Sequence, residues 1–85
     1  MEGANMERAN MEWAKLMGAN LTYASLQNAI MRWANLEGAN LGGADLSHAD
    51  LDEATLRDAD LRGANTEGAY LRTARLIGAK TKVED

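Results

Sequence analysis

Ser47, His48 and Asp50 bring a hydroxyl, an imidazole and a carboxylate into one short stretch, and these three groups form the triad of many hydrolases. A triad also needs donors that stabilise an oxyanion. Ser47 and His48 are neighbours on one turn, and nothing around them predicts such donors. The sequence therefore predicts no catalytic residue and no enzyme.

The same stretch is rich in carboxylates, which are the ligands that hard cations such as Ca²⁺ prefer. Asp45, Asp50 and Asp52 lie close to His48 in the sequence. Their spacing matches no metal-ligand pattern, and the nine-residue calcium-binding repeat of some β-helices is missing. We therefore predict a solvated acidic face, with no metal site and no cofactor.

A five-residue repeat must position all of these side chains. Alanine occupies residue 4 and every fifth residue through 79, and leucine or methionine follows each alanine two places later, except at Thr66 and Thr81. On an α-helix, five residues advance about 500°, so the alanines would form no stripe. Residues two apart in an extended segment share one face, and the next two residues can then turn the chain. The repeat therefore predicts a solenoid with alanine and leucine inside.

Surface residues indicate how many units make one coil. With four units, residues 20 apart stack, which places Trp13 over Trp33. The same stacking makes a column of alternating charge: Glu12, Arg32, Asp52 and Arg72. Stacked aromatic rings and opposite charges on neighbouring strands each stabilise by about 0.2–1 kcal/mol. Three units per coil would align residues without such pairs, so the sequence favours four sides and about four coils.

The units Ala39–Gly43 (ANLGG), Ala44–His48 (ADLSH) and Ala59–Gly63 (ADLRG) resemble the pentapeptide-repeat family. The middle residue of the unit is Asn or Asp at nine of sixteen sites. The resemblance implies an all-β fold, a right-handed quadrilateral parallel β-helix (solenoid) of about four coils of four pentapeptides. We expect one domain, residues 1–81, followed by a loose C-terminal tail, residues 82–85.

The array is more regular than those of typical family members. Those usually mix alanine with Cys, Ser, Thr or Val at the small position and often place Phe at the large one. Here alanine is invariant and phenylalanine is absent. This regularity suggests an engineered, consensus-like or truncated member, or a recently duplicated natural array.

Glycine ends many of the units, which predicts the corner geometry. A type II turn needs φ > 0 at its third residue, and glycine adopts that conformation without steric cost. We therefore predict type II corners at Gly3, 18, 38, 43, 63, 68 and 78. We predict another turn type at the corners that end in Arg8, Trp13, Tyr23, Trp33, Glu53 or Thr73.

Net charge and hydropathy limit the kinds of partner that this chain can bind. The chain carries a formal charge of −4, which argues against a nucleic-acid partner. It has no apolar run of transmembrane length and no visible signal peptide, so we expect a cytoplasmic protein with no membrane partner. Residues 45–60 are strongly acidic, whereas residues 62–82 are mostly basic.

These features predict a non-catalytic, rigid scaffold or protein-interaction module. Some pentapeptide-repeat proteins are acidic rods that mimic DNA and bind DNA gyrase, protecting it from quinolones. The resemblance therefore implies an alternative, an acidic DNA mimic that binds and inhibits or protects DNA gyrase or another type II topoisomerase. The acidic third coil favours this alternative, and the modest charge and basic fourth coil oppose it.

Two groups of residues are candidate contact surfaces. The first combines exposed aromatic side chains with the acidic residues of the third coil: Trp13, Trp33, Tyr23, Asp45, Asp50, Asp52, Asp58 and Asp60. The two tryptophans have a second interpretation, since they can simply stack to join the first two coils. The other group is the large inward position of an uncapped first coil: Met1, Met6, Met11 and Leu16. We expect a homodimer that docks end-on through this coil, with fraying of the coil as the alternative.

Overall fold

One bridged residue per unit connects successive coils. The computed structural model describes residues 1–81, and these contain no helix and no strand longer than a single bridged residue. Twelve parallel bridges each join residues 20 apart, from Asn5–Ser25 to Asp60–Lys80. A coil therefore contains 20 residues, and each five-residue unit forms one of its four sides. The expected tail, residues 82–85, lies outside the described residues.

Each unit makes the same set of backbone hydrogen bonds. Its corner is closed because the alanine N–H donates to the carbonyl oxygen three residues earlier, as in Ala44 N to Leu41 O at 3.0 Å. Further bonds run to the next coil, as in Leu41 N to Asp60 O at 2.7 Å and Gly43 N to Arg62 O at 3.1 Å. Repetition of this set holds the coils in register.

The prediction that alanine and leucine point inward is confirmed in the middle of the rod. The alanines of the repeat and the Leu or Met residues at its large inward position, from Leu21 to Leu61, are all less than 5% exposed. Most of those in the first and last coils are half-buried, whereas Met1 is 62% exposed and Leu76 is 37% exposed. The interior is therefore filled by side chains from two positions of the repeat.

The third residue of the turn has a positive φ at fifteen of the sixteen corners. The glycines named above have φ between 67° and 77°, which confirms the predicted type II geometry. The prediction of another turn type was wrong for Arg8, Trp13, Tyr23, Trp33 and Glu53, whose φ values are between 59° and 66°. Among the corners we singled out, only the one that ends in Thr73 departs from the rule.

The hydrogen bonds between coils explain why bulky residues adopt this strained conformation. In a type II turn the carbonyl of the second residue points along the rod, where it accepts an N–H from the preceding coil. Trp13 N, for example, donates to Arg32 O at 3.0 Å. Left-handed φ costs a non-glycine residue about 1–2 kcal/mol. Rotating the peptide to avoid it would leave both the N–H and the carbonyl without a partner, at about 1–3 kcal/mol for each such group shielded from water. The repeating register therefore overrides the local preference of the corner residue.

Asn and Asp at the middle position stabilise the corners. At all nine such sites the side-chain Oδ1 accepts the N–H of the residue two places later. These are Asx turns, in which a short side chain mimics a backbone turn. They leave the outward-facing atoms of these side chains at the surface of the rod.

Candidate functional site

Trp13 and Trp33 form a flat aromatic stack on one edge of the rod. Their ring centroids are 4.9 Å apart and the ring planes differ by 9°, as the 20-residue coil predicts. Both are the third residue of their turn, and the positive φ directs both side chains outward from the same edge. Trp13 is 65% exposed and Trp33 is 37% exposed. The two rings therefore stack between the first two coils and still expose much of their aromatic surface to solvent.

Arg32 lies beside this stack and holds two carboxylates. Its guanidinium is 5.1 Å from the centroid of the Trp33 ring, which is a cation–π distance. Arg32 Nη1 lies 3.6 Å from Asp50 Oδ2 and 3.9 Å from Asp52 Oδ2. Of the predicted alternating column, only the Arg32–Asp52 link is an ion pair within residues 1–81.

We use the name Trp corner for the surface that these groups share. Ile30 belongs to it because it is 39% exposed and lies on the adjoining side, bridged to Asp50. Glu53 belongs to it because it follows Trp33 by one coil on the same edge and is exposed. The Trp corner therefore comprises these residues: Trp13, Ile30, Arg32, Trp33, Asp50, Asp52 and Glu53.

The other predicted contact residues lie elsewhere on the rod. Tyr23 occupies the diagonally opposite edge, where a Cβ added at Gly43 would meet its ring at 2.5 Å. Asp58 lies on a third edge, against Gly78. Asp45 and Asp60 are bridged into two further sides of the coil. The acidic residues of the third coil thus surround the rod, and of the aspartates predicted as contact residues, Asp50 and Asp52 are the two that adjoin the tryptophans.

In the described part of the chain, no hydrogen bond joins the side chains of Ser47, His48 and Asp50 to one another. Asp50 accepts the N–H of Asp52 at 3.1 Å and pairs with Arg32, while the His48 ring lies against Gly68. Within residues 1–81, no group of three or more potential metal ligands comes together. The same residues include no helix long and apolar enough to cross a membrane.

A shallow groove of about 590 Å³ runs beside Tyr23 on its edge of the rod. Its lining includes the glycine corners at Gly43 and Gly63, together with Asp60 and Arg62. Arg62 Nε lies 2.9 Å from Asp60 Oδ1, and Nη2 lies 2.7 Å from Oδ2. Because this ion pair is bidentate and satisfied internally, the groove offers no free charged group to a ligand.

Hydrogen bonds lower the pKa of two carboxyl groups of the third coil, Asp45 and Asp60. Hydrogen bonds from the Arg62 side chain, and then from its backbone N–H, lower the pKa of Asp60 to about 2. The backbone N–H of Ser47, followed by its side chain, lowers the pKa of Asp45 below its usual value. Both effects stabilise the corners through the ionised carboxylate.

We therefore expect the melting temperature to fall as the pH drops from about 4 to about 2. A carboxyl with an unfolded-state pKa of about 3.9 and a lower folded-state pKa stabilises the fold above the unfolded value. That contribution is lost as the pH falls through the folded value. In Asp60→Asn and in Arg62→Gln, this acid-dependent loss should be smaller than in the wild type. Thermal melts across that pH range test this, and identical pH profiles for all three proteins would contradict it.

The first-coil residues show less burial than their equivalents one coil later. Met6, Met11 and Leu16 are half-buried, and Met1 is 62% exposed. One coil later, the residues that stack on Met6, Met11 and Leu16 are fully buried. They are Leu26, Met31 and Leu36, respectively. The first coil therefore keeps apolar surface at its outer side.

Comparison with known proteins agrees with this geometry. The family model for pentapeptide repeats matches residues 1–32, 29–65 and 56–80, with eight copies of the repeat. No curated protein matches the chain.

Three solved structures are similar to this rod. The first is the pentapeptide repeat protein Rfr23 from the cyanobacterium Cyanothece, with 38% identity and a TM-score of 0.72 over 95% of this chain and 54% of that one. A protein of the Arabidopsis thaliana thylakoid lumen has 25% identity and a TM-score of 0.75, over 93% of this chain and 59% of that one. HetL from the cyanobacterium Nostoc has 34% identity and a TM-score of 0.51, over 91% and 48%. The chain spans between 48% and 59% of the length of these proteins.

Proposed function

The chain belongs to the pentapeptide-repeat family, and from that premise we propose that it is a non-catalytic, rigid protein-interaction scaffold. In this proposal the rod is a right-handed quadrilateral β-helix of four coils. The observation that carries the proposal is the filled interior, since the core residues between Leu21 and Leu61 are less than 5% exposed. An enzyme needs a pocket in which reactive groups converge, whereas this rod carries its polar groups on the outside of a packed core.

The Trp corner is the part of the surface best suited to a protein partner. Exposed tryptophan and arginine are the residues most often found at the energetic centre of protein interfaces. Here they lie together on a rigid edge, so little conformational entropy is lost on binding. The similar protein HetL is involved in the regulation of heterocyst differentiation, and this supports a role that depends on binding.

Affinity capture with three forms of the protein tests the proposal. The forms are the wild type, a Trp13→Ala/Trp33→Ala double variant, and Tyr23→Ala, which removes an equally exposed aromatic ring from the opposite edge. We expect a protein that binds the wild type and the Tyr23 variant but is lost from the double variant. Thermal melts check that all three forms are folded. Equal recovery of every bound protein by the three forms would overturn the assignment of the Trp corner.

The acidic DNA mimic is the alternative function. A mimic must present unpaired negative charge along one face at about the spacing of DNA phosphates. In this rod the acids of the third coil surround the axis, and Asp50, Asp52 and Asp60 are paired with arginines. The charge therefore gives little support to this function.

We expect the protein to leave DNA gyrase unaffected in a supercoiling assay. The reason is that the exposed acids form no continuous strip and the fourth coil is basic. The assay should include a quinolone, so that protection and inhibition are both measured. Inhibition or protection at micromolar protein would favour the mimic over the scaffold.

We also propose that two copies dock end-on through the first coil. Its half-buried methionines and leucine support this. A second copy would cover their outer side in the way that the first coil covers Leu26 and Met31 of the second coil. Light scattering after size exclusion should give twice the chain mass, and Met11→Glu should restore the monomer. Ile77→Glu, at an exposed site of the fourth coil, is the control and should stay dimeric. A wild-type monomer at every concentration would contradict the proposal.

A further inference from the structure

We propose that the Trp corner binds an arginine-bearing segment of a partner protein. This inference rests on the proposed function and names the chemistry of the partner. Its basis is the pairing of exposed indole rings with carboxylates on one rigid edge, an arrangement that complements a planar cation.

The chain itself contains an example of the expected contact. The guanidinium of Arg32 lies over Trp33 and between two carboxylates, at 5.1 Å from the ring centroid and 3.6 and 3.9 Å from Asp50 and Asp52. The side chain of Arg32 is still 40% exposed. An arginine from another protein would meet the same kinds of group on the remainder of this surface.

The corner retains capacity for a further cation. Trp13 is 65% exposed, and among residues 1–81 the only cation–π contact is that of Arg32 with Trp33. Glu12 precedes Trp13, and Glu53 follows Trp33 on the same edge. Neither glutamate forms an ion pair within the described part of the chain. With Asp50 and Asp52, four acids lie around the stack, and among residues 1–81 Arg32 is the only cation that pairs with any of them. Lys15, two residues after Trp13, and Arg72, one coil beyond Asp52, are the other cations close to this surface.

Arginine fits this surface better than lysine does. A guanidinium is planar, so it can stack on an indole and still donate hydrogen bonds in its plane to carboxylates. It is also less strongly hydrated than an ammonium group, so its transfer to an aromatic surface costs less. Ile30, at 39% exposure, provides apolar surface for the methylene stem of such a side chain. The geometry therefore favours arginine over lysine, beyond the attraction that any positive charge would have to this surface.

Titration with short synthetic peptides tests the inference. One peptide alternates arginine with glycine, and its counterpart has lysine at each arginine position. Tryptophan fluorescence reports on the corner directly, because Trp13 and Trp33 are the only tryptophans of the chain. We expect saturable quenching by the arginine peptide, with several-fold weaker binding of the lysine peptide and weaker binding of both at high salt.

Three charge variants locate the site. Glu53→Gln should weaken binding of the arginine peptide by up to about fivefold, as expected for an exposed ion pair. Asp58→Asn removes the same charge from a different edge and should leave the affinity within about twofold. Arg32→Gln should strengthen binding, because it removes the internal cation that competes for Trp33 and the two aspartates. A purely structural role for Arg32 would not produce tighter binding.

Two results would overturn the inference. One is equal binding of the two peptides, and the other is equal weakening by Glu53→Gln and Asp58→Asn, since either would mean that net charge alone attracts the peptide. Neither result would contradict the proposed protein-interaction function if affinity capture still depends on Trp13 and Trp33. Loss of that dependence, with arginine binding retained, would instead contradict the proposed function.

Discussion

Replacing Leu56 by alanine is expected to lower the free energy of unfolding by about 2–5 kcal/mol, the range measured for fully buried leucines. Leu56 is 0% exposed and lies in the third coil, with further coils on both sides. Removal of its side chain leaves a cavity that the neighbours cannot fill, because hydrogen bonds on every side of the coil fix its backbone. Leu56 N donates to Arg75 O, and Leu36 N donates to Thr55 O, both at 2.7 Å.

Leu76 is the matched control for this substitution. It occupies the same position one coil later, but it is 37% exposed, so Leu76→Ala removes fewer contacts and leaves no enclosed cavity. We expect a loss of about 1–2 kcal/mol for this variant, because about two thirds of the side chain is buried and no cavity cost is added. Urea denaturation measures both values. Equal losses at the two sites would mean that the coils are not packed as a continuous core.

The effect of Leu56→Ala should also spread along the rod. In a solenoid each coil contacts only its neighbours, so the coils fold together only as far as their interfaces remain intact. Hydrogen exchange should show the largest loss of protection in the amides that join the third coil to the second and fourth. A uniform loss across all four coils would instead indicate a single cooperative unit.

The repeat predicts the coil because one rule governs every unit. Alanine and leucine two apart require a short extended side, and the stacking of Trp13 on Trp33 requires a coil of 20 residues. Both inferences depend only on the position of a residue in the period. The side chains of a regular solenoid follow the backbone register, so sequence alone was sufficient for the core and for the aromatic stack.

The corners could not be predicted in the same way. The local conformational preference of Trp and Tyr disfavours a positive φ. Hydrogen bonds to the adjacent coil nevertheless impose it at Trp13, Tyr23 and Trp33. These bonds connect residues far apart in sequence, and no local signal reveals them. The Asx turns were missed although their signal was present, because Asn and Asp are the residues that accept an N–H two places later.

The spatial grouping of the candidate contact residues was predicted only in part, for a related reason. A period of five distributes acids that are close in sequence around four sides of the rod, so Asp45, Asp50 and Asp60 lie on different sides. The stacking of residues 20 apart correctly predicts the pairing of Arg32 with Asp52. It could not find the contacts of Arg32 with Asp50 and with the Trp33 ring, because these depend on the side-chain conformation of a long, flexible residue.

Replacing Gly38 by valine is expected to destabilise the protein by about 1–2 kcal/mol. Gly38 has a φ of 69°, and a Cβ added there meets nothing within 4 Å, so contact with residues beyond its chain neighbours does not contribute to the cost. A β-branched residue strongly disfavours positive φ. The corner must therefore either accept the strain or rotate the peptide between Glu37 and residue 38. Rotation turns the Glu37 carbonyl away from Gly18 N, which donates to it at 2.9 Å.

Threonine at the same site should cost less than valine, and the structure contains the reason. At Thr73, the corner without positive φ, the threonine hydroxyl accepts the N–H of Glu53 at 2.9 Å. It thereby replaces the carbonyl that accepts this bond at the other corners. Gly38→Thr can restore the bond to Gly18 N in the same way, whereas the isosteric valine cannot. We expect threonine to be more stable than valine by about 1 kcal/mol, the worth of one hydrogen bond.

The reciprocal change at residue 73 completes this test. Thr73→Val keeps the shape of the side chain but removes the acceptor for Glu53 N, so it should lower stability by about 0.5–1.5 kcal/mol. Thr73→Gly should have a smaller effect, because glycine permits the type II turn whose carbonyl accepts the same N–H. Chemical denaturation of the four variants measures these differences. If valine and threonine are equivalent at both sites, the hydroxyl does not replace the carbonyl, and corner strain alone sets the cost.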